Sequence, residues 1–230
     1  MCFAGRITEF LREIINGGYA YVSIIENILK EGALKVLTAL HAMMGYSEFA
    51  ALIEPSESYQ IEPFCSQARK GNLDFFVTLH QLLVHPNDDS ADNFNFSDLF
   101  QYTGEPIKDG LGPDELPGTI LFHAFITGQT KLIKKFYSFL GRENFLVLLG
   151  RVDKANQCIE IYYTLYYSNL KTISCLAELI GKEALSNLVN IPYQDLSTGK
   201  SETSLQKLRS STMEKYVELM LVLEDAFDPI

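Results

Sequence analysis

The chain has 230 residues, 47% of them apolar, but no apolar run near the eighteen or so residues that a bilayer span needs, which argues against membrane insertion. Its 29 acidic against 19 basic side chains give a formal charge of −10, the wrong sign for a protein that grips nucleic-acid phosphates. Four cysteines, Cys2, Cys65, Cys158 and Cys175, lack metal-ligand spacing, so reduced thiols in a cytosol-like compartment are expected.

The opening residues MCFAGRI lack the basic-then-apolar order of a secretory signal, and Glu9, Arg12 and Glu13 interrupt the apolar residues beyond them. Residues 1–20 are expected to form a capping helix. Cys2 beside the initiator would suit an N-terminal nucleophile. Such enzymes are layered β-sandwiches, however, and helical periodicity begins here within a few residues.

GALKVLTALHAMMG, from Gly32 to Gly45, carries Val36, Leu37, Leu40 and Met44 at helical spacing. GNLDFFVTLHQLL from Gly71 repeats it with Phe75, Phe76, Leu79 and Leu83. The clearest pair comes later. GQTKLIKKFYSFLGRENFLVLL from Gly128 is matched forty residues on by SNLKTISCLAELIGKEALSNLV from Ser168, with Ile133/Ile173, Phe136/Leu176, Leu140/Ile180 and Gly141/Gly181 in one register. A degenerate copy, TMEKYVELMLVLE, starts at Thr212 with Tyr216, Val217 and Met220 at the apolar slots. Gly32, Gly71, Gly128, Ser168 and Thr212 thus anchor about five repeats, and repeats of this period mean a solenoid.

Nine residues before each anchor stands a second pattern, at Ser23, Glu62, Thr119, Ile159 and Thr203. Ser23, Thr119 and Thr203 can cap a helix, and Pro63 suits a first helical turn. Each repeat therefore reads as a short helix, a tight turn at the anchor, a longer amphipathic helix and often a third helix after a second glycine. Gly45, Gly141 and Gly181 are expected as helix C-terminal residues in the left-handed region. Leu132, Ile133, Phe136 and Leu140 form a buried stripe in this register. Lys131, Lys134 and Lys135 fall on the solvated side.

Between the second and third repeats, residues 84–118 hold Asp88, Asp89, Asp92, Asp98, Glu105, Asp109, Asp114 and Glu115 against one lysine, with four prolines and four glycines. This is an acidic inserted loop, within which the run from Phe94 to Phe100 can form a short helix or turn that packs back. Asn87–Asp92 lacks the alternating ligands, central glycine and distal glutamate of a calcium loop. Neither a metal site nor a cofactor is expected. GxSxG, HExxH, phosphate-cradling and H-R-D motifs are all missing. His41 and His80 fall at one slot of two repeats, nine residues after the anchor, and the pair Cys65 and His80 has no motif behind it.

EPFCSQARKGNLDFFVTL from Glu62 resembles the ankyrin consensus TPLHxAAxxGxxxVVxxLL, and TILFHAFITG from Thr119 matches it through Thr119, Leu121, Ala124 and Gly128. The departures are that proline is kept once, His123 lies one place late, Tyr163 and Thr164 replace small residues, and the period exceeds the ankyrin norm of about 33. The chain is similar to the degenerate ankyrin arrays of effectors from intracellular bacteria. An armadillo-like helical-pair solenoid is the alternative. The expectation is one continuous all-α domain, with repeats 1–2 over 21–83 and repeats 3–5 over 119–230.

The resemblance implies a scaffold that binds another protein, such as a host protein reached in the host cytosol. In ankyrin arrays the first helices and the preceding fingers line the concave binding face. By that resemblance Tyr162, Tyr163, Tyr166 and Tyr167, with Phe122 and His123 one repeat earlier, would form the partner site. In register, Ile161, Thr164 and Leu165 take the packed face. Asp88, Asp89, Asp92, Phe94 and Phe96 are the second candidate surface. Two other readings stand beside this one: an enzyme with a small site on a helical scaffold, and self-association through the acidic loop. Oligomeric state is left open.

Overall fold

A computed structural model describes residues 19–55, 61–84, 94, 96–102, 118–153, 158–195 and 200–224. Helices break at every anchor. In the first repeat α1 (Tyr19–Glu31) gives way to α2 (Leu34–Met44) and then α3 (Tyr46–Ile53), and in the second α4 (Glu62–Arg69) to α5 (Leu73–Leu83). In the third, α6 (Ile120–Ile126) precedes α7 (Thr130–Leu149). The fourth holds α8 (Glu160–Tyr167), α9 (Leu170–Ile180) and α10 (Lys182–Val189), the fifth α11 (Ser204–Ser211) and α12 (Met213–Glu224). The protein is predominantly α-helical, as its periodicity predicts.

Two kinds of glycine turn make these breaks. At Gly128 the N–H bonds the Phe125 carbonyl at 3.0 Å and the Gln129 N–H reaches back to Ala124 at 2.9 Å, the double bond of a Schellman cap, with φ at +70°. Gly32 and Gly71 repeat the pattern with the same partners in register. At Gly181, φ +87° and ψ 147° lie in an extended positive-φ region that only glycine enters cheaply. Its N–H closes α9 on Ala177 O, while its carbonyl accepts the Leu185 N–H that opens α10. Gly45 shares this geometry, and Gly141 does so inside α7, where it breaks the helix. The left-handed cap expected at these three is therefore corrected: φ is positive, but ψ is extended, because the chain must re-enter a helix at the next residue.

Caps follow the sequence at two of three predicted sites. Thr119 accepts the Phe122 N–H, and Thr203 forms a reciprocal capping box with Gln206. The helix start expected at Ser23 is corrected, since Ser23 falls inside α1, which runs from Tyr19 to Glu31. Tyr19 and Ala20 likewise belong to α1 and not to a separate capping helix, and residues 1–18 lie outside the described residues. Asn72 and Asn169, one residue after their anchors, cap α5 and α9.

The chain divides into two compact halves, Met1–Gly104 and Glu105–Ile230. In the first half α1 packs on α4 and α2 on α5; in the second, α6 on α8 and α8 on α11, with α7 on α9 and α9 on α12. Within each half, first helices thus form one layer and second helices another. Phe49, Phe64, Phe75 and Phe76 fill the first core, and Phe125, Phe136 and Phe145 the second. The stripe Leu132, Ile133, Phe136 and Leu140 is buried throughout, as the register requires.

Two antiparallel hairpins, β1 (Val152–Asp153) with β2 (Cys158–Ile159) and β3 (Pro192–Asp195) with β4 (Lys200–Thr203), lead into α8 and α11. The acidic insert folds back where its composition turns apolar. Phe96–Gln101 is a 3-10 helix that buries Phe96, Leu99 and Phe100 against α5, and the Tyr46 hydroxyl donates to Phe94 O at 3.1 Å. Asp88, Asp89 and Asp92 lie outside the described residues.

Candidate functional site

Helix α8 is fixed at its start by a buried glutamate. The Glu160 N–H donates to Arg151 O at 2.9 Å, and its carboxylate accepts a hydrogen bond from the Thr119 hydroxyl of the preceding repeat. Ile161, Thr164 and Leu165 turn into the core, as the repeat register predicts. With the axis and rotation of α8 set by that face, 100° per residue leaves the tyrosines to divide among the remaining directions.

Tyr162 goes inward, which corrects its assignment to the outer face. Its hydroxyl lies 3.3 Å from Ser211 Oγ, and the Lys207 ammonium sits 5.3 Å from its ring centre, so α11 covers it. Phe122 and His123 are also buried and do not line an open groove. Phe122 is seated so closely on Gly118 that a Cβ there would stand 2.1 Å from the ring. His123 packs edge-on against it at 5.4 Å.

Tyr163, Tyr166 and Tyr167 are half-buried. Tyr163 and Tyr167 stack with rings 12° apart at 6.4 Å, and Tyr166 meets Tyr167 edge-on at 4.8 Å. Tyr167 in turn stands 6.4 Å from Phe122 in an edge-on contact. One stripe therefore runs from the buried Phe122 outward across Tyr167 to Tyr163. Burial raises the Tyr167 phenol above its ordinary value, and a charge on Tyr166 would raise it further. Tyr167 therefore stays a neutral donor at physiological pH.

The other candidates separate. Phe96 is buried and cannot serve as a surface contact, while Phe94 is half-buried. His41 and His80 each hold an aromatic ring edge-on, Phe49 at 5.2 Å and Phe96 at 5.1 Å, so their shared slot is a packing position. Cys65 and Cys175 are buried and outside any disulfide, and burial pushes the Cys175 thiol up. Lys131 and Lys134 are exposed, the latter 3.2 Å from Glu178 on α9. Among the described residues there is no cluster of three His, Cys, Asp or Glu placed for a metal, and no helix long and apolar enough to cross a membrane.

Compared with known proteins, the chain matches no family model, no curated protein and no solved structure.

Proposed function

We propose that this protein is a degenerate, ankyrin-like helical array whose work is to bind another protein through the tyrosine face of α8. The observation that carries the reading is the stacked pair Tyr163 and Tyr167, half-exposed and backed by Phe122. Ile161, Thr164 and Leu165 hold α8 to the core, and the rings of Tyr163 and Tyr167 remain half-exposed. Tyrosine there combines apolar area with a polar tip, the combination enriched at binding hot spots. Helix–turn–helix segments at five anchors, the two-layer order within each half and the hairpins before α8 and α11 support the array reading. The likeness to effector arrays makes a host protein the partner to look for, in the host cytosol.

The test is capture from host-cell lysate by wild type, by Tyr163→Ala/Tyr167→Ala and by a chain lacking 87–116, followed by titration of the captured protein. The tyrosine pair variant is expected to keep its circular dichroism and to lose about thirtyfold in affinity for each of the two residues, from about 2 kcal/mol per hot-spot residue. Equal binding by that variant, with loss in the deletion, would move the site to the acidic insert.

A further inference from the structure

Within each half, one side chain placed directly behind an extended glycine reaches into the next repeat. Tyr46 follows Gly45 and Arg142 follows Gly141, each fourteen residues after its anchor. The Tyr46 hydroxyl donates to Leu83 O at 3.3 Å and Arg142 Nη2 to Ile180 O at 3.3 Å, so both hold the last carbonyl of the following second helix, α5 or α9. The same device is used twice, but its surroundings differ. In the first half Tyr46 also donates to Phe94 O at 3.1 Å, and Ala50, one turn along α3, is buried, which shuts the joint. In the second half the slots of Ala50 and Phe94 fall to Leu146, which is half-buried, and Ile191, which is 38% exposed. Here the joint stands open as a groove of about 310 Å³, lined by Arg142 and Leu146 of α7, by Ala184, Asn187 and Leu188 of α10, and by Ile191.

Arg142 is the one charged side chain among the described residues that line this groove. A tyrosine has a single hydrogen to donate, whereas a guanidinium has five N–H donors and a fixed positive charge. The Ile180 carbonyl uses one of them. Glu143 and Glu183 are exposed on the same two helices, yet among the described residues no carboxylate stands within ion-pair reach of Arg142. An exposed, uncompensated cation thus lies beside the aliphatic walls of Leu146, Leu188 and Ile191. That pairing of surfaces complements a carboxylate with an apolar group next to it. The volume is at the lower end for small-molecule sites, about 300–1,000 Å³, and such sites enclose most of their ligand. This groove leaves Arg142, Asn187 and Ile191 exposed, so it suits one or two side chains of a polypeptide that passes across it.

We propose that the groove between α7 and α10 binds a segment of a partner protein in which an aspartate or glutamate neighbours a leucine or phenylalanine. The carboxylate pairs with Arg142, whose planar fork can donate two parallel hydrogen bonds to it. The apolar side chain lies against Leu146, Leu188 and Ile191. None of these residues belongs to the tyrosine face, and binding here is independent of it.

Blocked peptides that combine Asp or Glu with Leu and Phe test this, alongside matched peptides carrying Asn or Gln in place of the acids, each titrated into the isotope-labelled full chain and followed by NMR. The acidic set is expected to shift the amide signals of Arg142, Leu146 and Ile191 saturably, and the neutral set to bind about tenfold more weakly, from the loss of a charge-assisted bond. Arg142→Gln retains a donor for Ile180 O without the charge and should lose the same factor, whereas Arg142→Lys retains the charge and should keep most of the affinity. Unchanged thermal unfolding verifies both folds. Equal binding of the acidic and neutral sets, or equal binding by wild type and Arg142→Gln, overturns the proposal. So does an acidic set that gives no saturable shift; if hexanoate shifts the same signals while the peptides do not, the site is one for a small carboxylic acid instead. Tyr163→Ala/Tyr167→Ala is expected to bind the acidic peptides as wild type does, and a loss there would place them on the tyrosine face and not in the groove.

Discussion

Helices α4 and α8 stand at the same place in their repeats and present opposite surfaces. In register, Phe64 matches Ile161, Cys65 matches Tyr162 and Ala68 matches Leu165, and all six are buried. The outward slots differ in kind: Ser66 and Arg69 on α4, with Lys70 at its C-cap, against Tyr163, Tyr166 and Tyr167 on α8. Arg69 pairs with Glu62 on its own helix, and Lys70 donates to Lys30 O at 3.1 Å, so α4 uses these side chains to hold its own half together. The inward slots share burial and not size. What the outward slots carry is free to vary, and there the two helices part.

The shared inward face gives the largest expected effect. Phe64 is fully buried and 6.2 Å from the Phe75 ring, so Phe64→Ala should cost about 3–5 kcal/mol, and Ile161→Ala at the matching slot about 2–5 kcal/mol. Denaturant titration of both variants measures this. A negligible loss in either would mean that the two helices are not equivalent and that the register linking them is wrong.

A finer difference lies at the slot of Gln67 and Thr164. Gln67 donates to Leu29 O at 2.9 Å and Lys30 O at 2.6 Å and accepts from Asn72 Nδ2 at 2.7 Å, so one buried amide ties α4 to the end of α1. Gln67→Ala strands those groups and should lower stability by about 1–3 kcal/mol. The Thr164 hydroxyl, by contrast, is buried without a hydrogen-bond partner. Its junction is bridged elsewhere, by Thr119 and Glu160. Thr164→Val, which keeps the shape and removes the orphaned hydroxyl, should therefore be neutral or stabilising by up to about 1 kcal/mol. Opposite signs at equivalent slots would sharpen the comparison; a loss at Thr164 would point to a partner for its hydroxyl.

Much of this was legible in the residues. The anchors Gly32, Gly71, Gly128, Ser168 and Thr212 mark the breaks between helices, and Phe94–Phe100 marks the part of the acidic insert that folds back, because turn residues and apolar spacing act locally. The fate of Tyr162, Phe122 and His123 was not. Aromatic residues on a short helix serve equally as filler and as surface, and the choice depends on what crosses over them: α11 with Lys207 over Tyr162, and the Gly118 backbone under Phe122. The Gly118 contact is local in the chain, but α11 reaches Tyr162 from the following segment, which no single-repeat pattern encodes. The helix start expected at Ser23 was misplaced for a related reason, since α1 already runs from Tyr19 and the sequence there gives no break before Ser23.

The smallest expected effect comes from Tyr167 and concerns pH. Burial first, and the neighbouring Tyr166 second, raise its phenol above the ordinary tyrosine value of about 10. The folded state then holds the proton more tightly than the unfolded chain does. That preference contributes fully below the unfolded value and is lost as pH rises through the folded one, so stability should decline in alkaline solution from about pH 10 upward. Because Tyr167 is partly solvated the decline is gentle. Tyr167→Phe should flatten it while leaving stability near neutral pH unchanged, and denaturant midpoints measured from about pH 8 to about pH 11 compare the two. The same variant keeps the ring that stacks on Tyr163 and loses only the hydroxyl. If binding to a captured partner survives Tyr167→Phe but not Tyr167→Ala, the stripe acts through apolar area; if both abolish it, the hydroxyl is the group the partner reads, and α8 differs from α4 in hydrogen bonding as much as in shape.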